Sequence, residues 1–283
     1  MNRILRVLLW VSFLAGGCGP GVPLPVPLSP EPEVTQAISI PPPSTLPARL
    51  TLTFGAGELI LAPGAADALV EGTATYNYSA LQPTLQTEGE RIRLQAGQGA
   101  LTGFPPLSNL VHIWDLRLAQ GVPLDLTIEA GAYQGHFELG GLALTGLAIQ
   151  DGAARVQLSF SEPNPAELAI FRYQTGASRI SIAGLGWANF GTLIFQGGAG
   201  DYTLDFSGQQ RRSGVVTVDA GLCNLILIIP EGVPSVVTVE SNLTNVHAGP
   251  TWSQNNNTYI QRGDGPALTF LINIGAGNLT LTR

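Results

Sequence analysis

The sequence predicts an all-β chain: a single-stranded parallel β-helix, or β-solenoid, with a smaller strand-rich N-terminal segment. Three observations predict it. After Leu50, apolar and polar residues alternate with period two, as in LTLTF, RVQLSF, RISI and DYTLDF, which marks half-buried strands. No stretch of ten or more residues keeps a 3.6-residue period and heptads are missing, so bundles and coiled coils are excluded. Gly-Ala corners recur at residues 131, 152, 176 and 198, and a repeat of that length marks coils that bury their apolar sides only by stacking. A chain of 283 residues can hold such a core.

Residues 1–17 read as a bacterial secretory signal. Arg3 and Arg6 form the basic region, Val7 to Leu14 the apolar run, and Ala15, Gly16 and Gly17 the small-residue site. The run is too short to remain as a membrane-spanning helix, which needs about 20 residues. The stretch LAGGC at 14–18 resembles a lipoprotein box, in which Cys18 is lipidated on sulfur and becomes the new N terminus. Ala15 stands where a leucine is usual, and ordinary cleavage near Gly17 is the alternative. At ~0.8 kcal/mol per buried methylene, two or three acyl chains make a lasting anchor. The predicted location is extracytoplasmic, at the cell envelope or cell surface, with the membrane as partner through Cys18.

Residues 18–48 are the expected linker. Ten of the 21 prolines lie between Gly19 and Pro47. Proline lacks the backbone donor and favours extended polyproline II, so about 30 residues would reach on the order of 90 Å. A spacer holding the body off the membrane and an indifferent linker have the same sequence signature.

Residues 49–120 are expected to form the N-terminal β segment and 121–283 a solenoid of ~22-residue coils. Aligning the corners places Gly135, Val156, Ile180, Tyr202, Cys223 and Leu279 in one inward column. Phe137, Leu158, Ile182, Leu204, Leu225 and Leu281 form the next, and His136, Gln157, Ser181, Thr203, Asn224 and Thr280 the outward column between them. Arg155, Arg179 and Asp201 share an outward position on three successive coils, where Arg179 should lean towards Asp201. Residues 242–267, with NNNT and RGDG, stretch the period and are expected to protrude as a loop before the last coil.

The phrases LTLTFGAGELILAPGAADALVEGTATYNYSALQP, VPLDLTIEAGA, GAGDYTLDFSG and LTFLINIGAGNLTL resemble the bacterial toast-rack family, over about residues 49 to 283. This is a domain family of unknown function, similar in its C-terminal part to the solenoid of cell-wall-active-antibiotics response proteins. The resemblance implies a parallel β-helix outside the cell and brings no catalytic residues with it.

Chemistry is sparse. All 13 basic residues are arginine, and 20 acids give a net charge of −7; removal of Arg3 and Arg6 with the signal leaves −9. An acidic chain without a basic run does not suit nucleic acid. His112, His136 and His247 lack metal-ligand spacing, so no metal site is expected, and no cofactor motif is present. The glycines of GGAG at 197–200 and GLG at 184–186 are read as repeat corners, and Cys223 as a buried free thiol. Asp201, Asp205, Asp219 and Glu240 fall on outward positions of neighbouring coils, where paired carboxylates could run glycoside hydrolysis. Their columns hold mostly Thr, Ser, Asn and Gln, which favours a solvated face. Trp187 and Trp252 are the candidate ligand contacts, while Trp114 reads as core. Two functions follow. One is a non-enzymatic envelope lipoprotein displaying a β-helical body for adhesion, scaffolding or envelope-stress sensing. The other is a carbohydrate-binding or carbohydrate-active β-helix.

Overall fold

In the computed structural model the described residues are 29–97, 109–241 and 243–283. The expected signal at 1–17 and Cys18 lie outside them. Among these residues are seventeen strands, all hydrogen-bonded into one sheet that folds over on itself. In chain order they are β1 (Val34–Ile40), β2 (Ala48–Ala65), β3 (Val70–Tyr76), β4 (Pro83–Glu88), β5 (Arg91–Ala96) and β6 (His112–Ala119). The next six are β7 (Leu124–Glu138), β8 (Leu144–Gln150), β9 (Ala153–Ser159), β10 (Leu168–Ala183), β11 (Phe190–Asp205) and β12 (Gly214–Ile228). The last are β13 (Ser235–Glu240), β14 (Thr244–Ala248), β15 (Ser253–Asn255), β16 (Thr258–Gln261) and β17 (Leu268–Thr282).

A full rung is one long strand bent at a corner into two arms. In β11 the first arm buries Leu193 and Phe195, the second buries Tyr202 and Leu204, and Gly198 is the bend. The corner glycines Gly55, Gly131, Gly152, Gly176, Gly198, Gly221 and Gly275 stack on one another. A Cβ at Gly198 would lie 2.6 Å from the Gly176 carbonyl oxygen, and one at Gly221 2.7 Å from that of Gly198. Glycine is required here by close approach of backbones rather than by an unusual φ. The arms enclose a continuous apolar core, to which each fully buried Leu, Ile or Phe contributes ~1.5–3 kcal/mol.

The rungs stack in parallel in the order β5 with β6, β2, β7, β8 with β9, β10, β11, β12, β17, and β13 with β14. Both end rungs are therefore threaded out of chain order. β2 sits between β5/β6 and β7, and β17 between β12 and β13/β14. Each threaded strand has both edges paired, which protects it from pairing with other chains. Antiparallel strands cover the outermost rungs: β4 on β5, β3 and then β1 on β6, and β16 then β15 on β13.

Four expectations change. First, β1 lies inside the segment expected to be linker: no proline interrupts residues 33–40, and Ile38 and Ile40 bury against the core. Second, residue 120 is not a boundary, because Ala48–Phe54 and Ala56–Leu61 pair residue for residue with β7. The strand-rich N-terminal segment is the antiparallel cap β1, β3 and β4. Third, Cys223 stacks between Gly200 and Gly277, and Leu225 and Leu227 follow Tyr202 and Leu204 in the inward columns, with Ile226 outward in place of Asn224. The observed register differs from the expected one by two residues, which leaves the alternation unchanged. Fourth, residues 244–261 form β14 and the β15–β16 hairpin rather than a protruding loop. Asn256, at φ +53°, makes the tight turn that asparagine tolerates.

Candidate functional site

The first arms form one sheet, and register places its outward side chains in columns that run the length of the body. The column nearest the corner reads Thr53, Glu129, Gln150, Gln174, Gln196, Asp219, Asn273, Glu240. Its side chains bond from rung to rung: Gln174 Nε2 donates to Gln196 Oε1, and Asn273 Nδ2 to Asp219 Oδ1 at 3.1 Å. The two columns further out are divided. At the N-terminal end they carry Arg91, Arg49, Arg93 and Asp125. Over β11, β12, β17 and β13 they hold only Thr192, Val215, Thr269 and Val236, and Ile194, Thr217, Leu271 and Thr238. Val215 and Leu271 are 41% and 46% exposed.

The corner itself is a narrow ridge of alanines, Ala56, Ala132, Ala153, Ala177, Ala199 and Ala276, interrupted by Leu222 and ending at Leu243. Those two leucines, 63% and 73% exposed, flank Ala276 on consecutive rungs. Beyond the ridge, the second arms carry Glu58, Gln134, Arg155, Arg179, Asp201, Asn224, Asn278 and Asn245 in one column. Arg179 does pair with Asp201, Nη2 to Oδ2 at 3.0 Å, and Asn224 Nδ2 donates to Asp201 Oδ1 at 3.0 Å. The amide of Asn224 and then Arg179 hold this exposed carboxyl below the usual carboxylate range.

The four acids singled out in the sequence do not share a face. Asp201 and Asp205 project from the second-arm sheet; Asp219 and Glu240 project from the first, with Asn273 between them. Among the described residues no three His, Cys, Asp or Glu side chains converge as metal ligands would. His112 is buried against Phe54, donates from Nδ1 to the Ala56 carbonyl at 2.6 Å, and is held down to about 4 by burial. His136 is exposed, 4.0 Å from Glu58. Trp114 is fully buried. Trp187 and Trp252 are both half-buried against the core. Each follows the second arm of its rung, β10 and β14 respectively, and those rungs are four steps apart, roughly 19 Å.

One buried polar cluster had no counterpart in the reading of the sequence. The residue before each corner glycine points inward, and it is Phe54, Ala130, Thr175, Gly197, Ala220 or Ile274 in other rungs but Asp151 in the fourth. Its carboxylate accepts from Tyr173 Oη at 2.8 Å, from Tyr133 Oη at 3.4 Å and from the Thr175 hydroxyl, which itself lies 2.6 Å from Ser178 Oγ. Burial raises the Asp151 carboxyl above its ordinary range despite those donors. The signal was available in QDGA at 150–153 beside QTGA at 174–177. There the adjacent corner glycine hides that a polar residue occupies an inward position.

A second feature emerges only from the threading. Arg91 and Arg49 occupy the same outward position on adjacent rungs. They line a cleft of about 360 Å³ at the N-terminal end with Arg93, Gln86, Glu88 and Asp125.

Residues 29–183 match the N-terminal domain of toast_rack, DUF2154, over more than half of the chain. No curated protein sequence matches. Among solved structures, a candidate cell adhesion protein from Clostridium sporogenes aligns at 16% identity over 90% of this chain and 99% of its own, with a TM-score of 0.48. A candidate adhesin from Bacteroides fragilis aligns at 10% identity over 88% and 96%, with a TM-score of 0.35. Another from Parabacteroides merdae aligns at 12% identity over 89% and 96%, with a TM-score of 0.24.

Proposed function

The chain belongs to the toast-rack family, and we propose that it serves as a rigid, non-enzymatic adhesion body of the cell envelope. The observation that carries this reading is the division of the first-arm face. Its last four rungs are free of charge in two neighbouring columns, on a chain whose net charge is −7. Interface centres are depleted of charged residues, and a β-branched array on fixed backbones loses little entropy when it is covered. A docking role is favoured because the two columns present only threonine, valine, isoleucine and leucine, with the nearest acids, Asp219 and Glu240, confined to the column at the corner. Tethering through a lipid on Cys18 would present the body outside the membrane. Cys18→Ala should abolish incorporation of labelled palmitate; a wild-type chain that takes up no label would remove the anchor from this reading.

The adhesive face is tested by putting charge on it. Cells displaying the full chain with Val215→Lys and Leu271→Glu together should lose clumping and surface retention. The melting temperature should barely move, since exposed positions away from special features cost within about 0.5 kcal/mol each. Adhesion equal to that of the unaltered chain would overturn the assignment of the face.

A further inference from the structure

We propose that the N-terminal cleft is a binding site for a single phosphate group, held between Arg49 and Arg91. These two arginines are cross-strand partners on adjacent parallel rungs, β2 and β5, so their stems leave the backbone about 4.8 Å apart. Like charges at that spacing repel, and each would ordinarily be matched with an acid. Here the matching is poor. Arg93, the third arginine of the cleft, is satisfied: its Nη1 donates to Thr53 Oγ1 at 2.9 Å and to Glu129 Oε2 at 3.0 Å. Arg49 reaches only Glu90, at 3.6 Å, too long for a hydrogen bond. Arg91 has no ion pair and no side-chain hydrogen bond among the described residues, although Glu88 lies directly across the hairpin from it. Asp125 follows Arg49 in the column, but its carboxylate turns to the next rung, where Gly146 leaves room: a Cβ there would lie 2.5 Å from Oδ1.

Two guanidinium forks one rung apart therefore face the same cleft with their donors unspent. A carboxylate offers two oxygens in one plane, whereas a phosphate offers oxygens set tetrahedrally, so two forks leaving adjacent rungs can each engage a different pair of them. This is recognition of one group, which a chain without basic runs can still achieve, and it is separate from the uncharged C-terminal face. The phosphate could be the free ion or one unit of a polyol phosphate polymer, and the two sources share the same chemistry.

The test uses the full chain in detergent, with inorganic phosphate and polyglycerol phosphate titrated at constant ionic strength against chloride, because screening alone would mimic a weak effect. Phosphate should raise the melting temperature and bind saturably. Arg91→Gln and Arg49→Gln should each weaken binding about tenfold or more, as expected for losing charge-assisted hydrogen bonds. Arg91→Lys, which keeps the charge and loses the fork, should weaken it several-fold. Arg155→Gln, an exposed arginine on the opposite arm, should leave it unchanged. Polymer binding lost in the same variants would identify the polymer as the source, and binding of the free ion alone would identify the ion. Absence of saturable phosphate binding, or binding by Arg91→Gln equal to that of the unaltered chain, would overturn the proposal.

Discussion

The stacked corner glycines allow one substitution to be compared with itself in two places. In Gly198→Ala the new Cβ would stand 2.6 Å from the Gly176 carbonyl oxygen, and both backbones are held in register by the rungs on either side. Ordinary contact begins near 3.4 Å, so about 0.8 Å must be absorbed by bending two paired strands. Overpacking of this kind costs ~1–3 kcal/mol. Gly152 is the same residue type at another corner of the same column, yet a Cβ built there would stand 3.1 Å from the Gly131 carbonyl oxygen. Gly152→Ala therefore needs only about 0.3 Å of adjustment, which the gain from a less flexible unfolded chain, ~0.4–1 kcal/mol, offsets. At roughly 2–4 °C per kcal/mol for a chain of this size, Gly198→Ala should melt several degrees below the unaltered chain and Gly152→Ala within a degree or two of it. Calorimetry on both variants in one buffer reads the difference. Equal shifts, in either direction, would mean that conformational preference rather than rung contact selects the glycines, and the stacking argument would fail.

Asp151 makes the fold sensitive to pH in an unusual direction. Its carboxyl is raised in the folded chain, so the folded state binds the proton more tightly and this group's contribution to stability declines as pH rises from about 4 through the folded value. Asp151→Asn should flatten that decline, measured as the difference in urea midpoints between the two chains across pH 3.5 to 8; parallel curves would show that the cluster does not titrate as described. Burial pushes the Cys223 thiol up to about 11, so at pH 8 only about 0.1% is thiolate. Maleimide should leave it unmodified in the folded chain and label it fully in denaturant, and rapid labelling of the folded chain would show that the second arm opens at this rung.

Much of this architecture was legible before any coordinates. Alternation in RISI and DYTLDF put Ile180, Ile182, Tyr202 and Leu204 inside because a strand has only two faces, and the spacing from Arg179 to Asp201 set a true rung-to-rung pair. Those are local properties: each needs a strand and its immediate neighbour in the chain. What alternation cannot carry is the identity of a distant neighbour. Cys223 and Leu225 have the same parity, so only the observed register separates Leu225, stacked on Tyr202, from Cys223, stacked on Gly200. β2 lies next to β7 across the 58 residues from Ala66 to Pro123, and β17 next to β12 across the 39 residues from Ile229 to Ala267. Nothing in the period announces either insertion, since the stacking order is decided by which arrangement leaves the fewest open strand edges. The pairing of Arg49 with Arg91 is a product of that order, as is the run of uncharged columns that ends with β17 threaded between β12 and β13. The sequence by itself determined which side of each strand is buried and where it bends; the tertiary structure alone decided which rungs touch, because that choice rests on contacts between residues far apart in the chain.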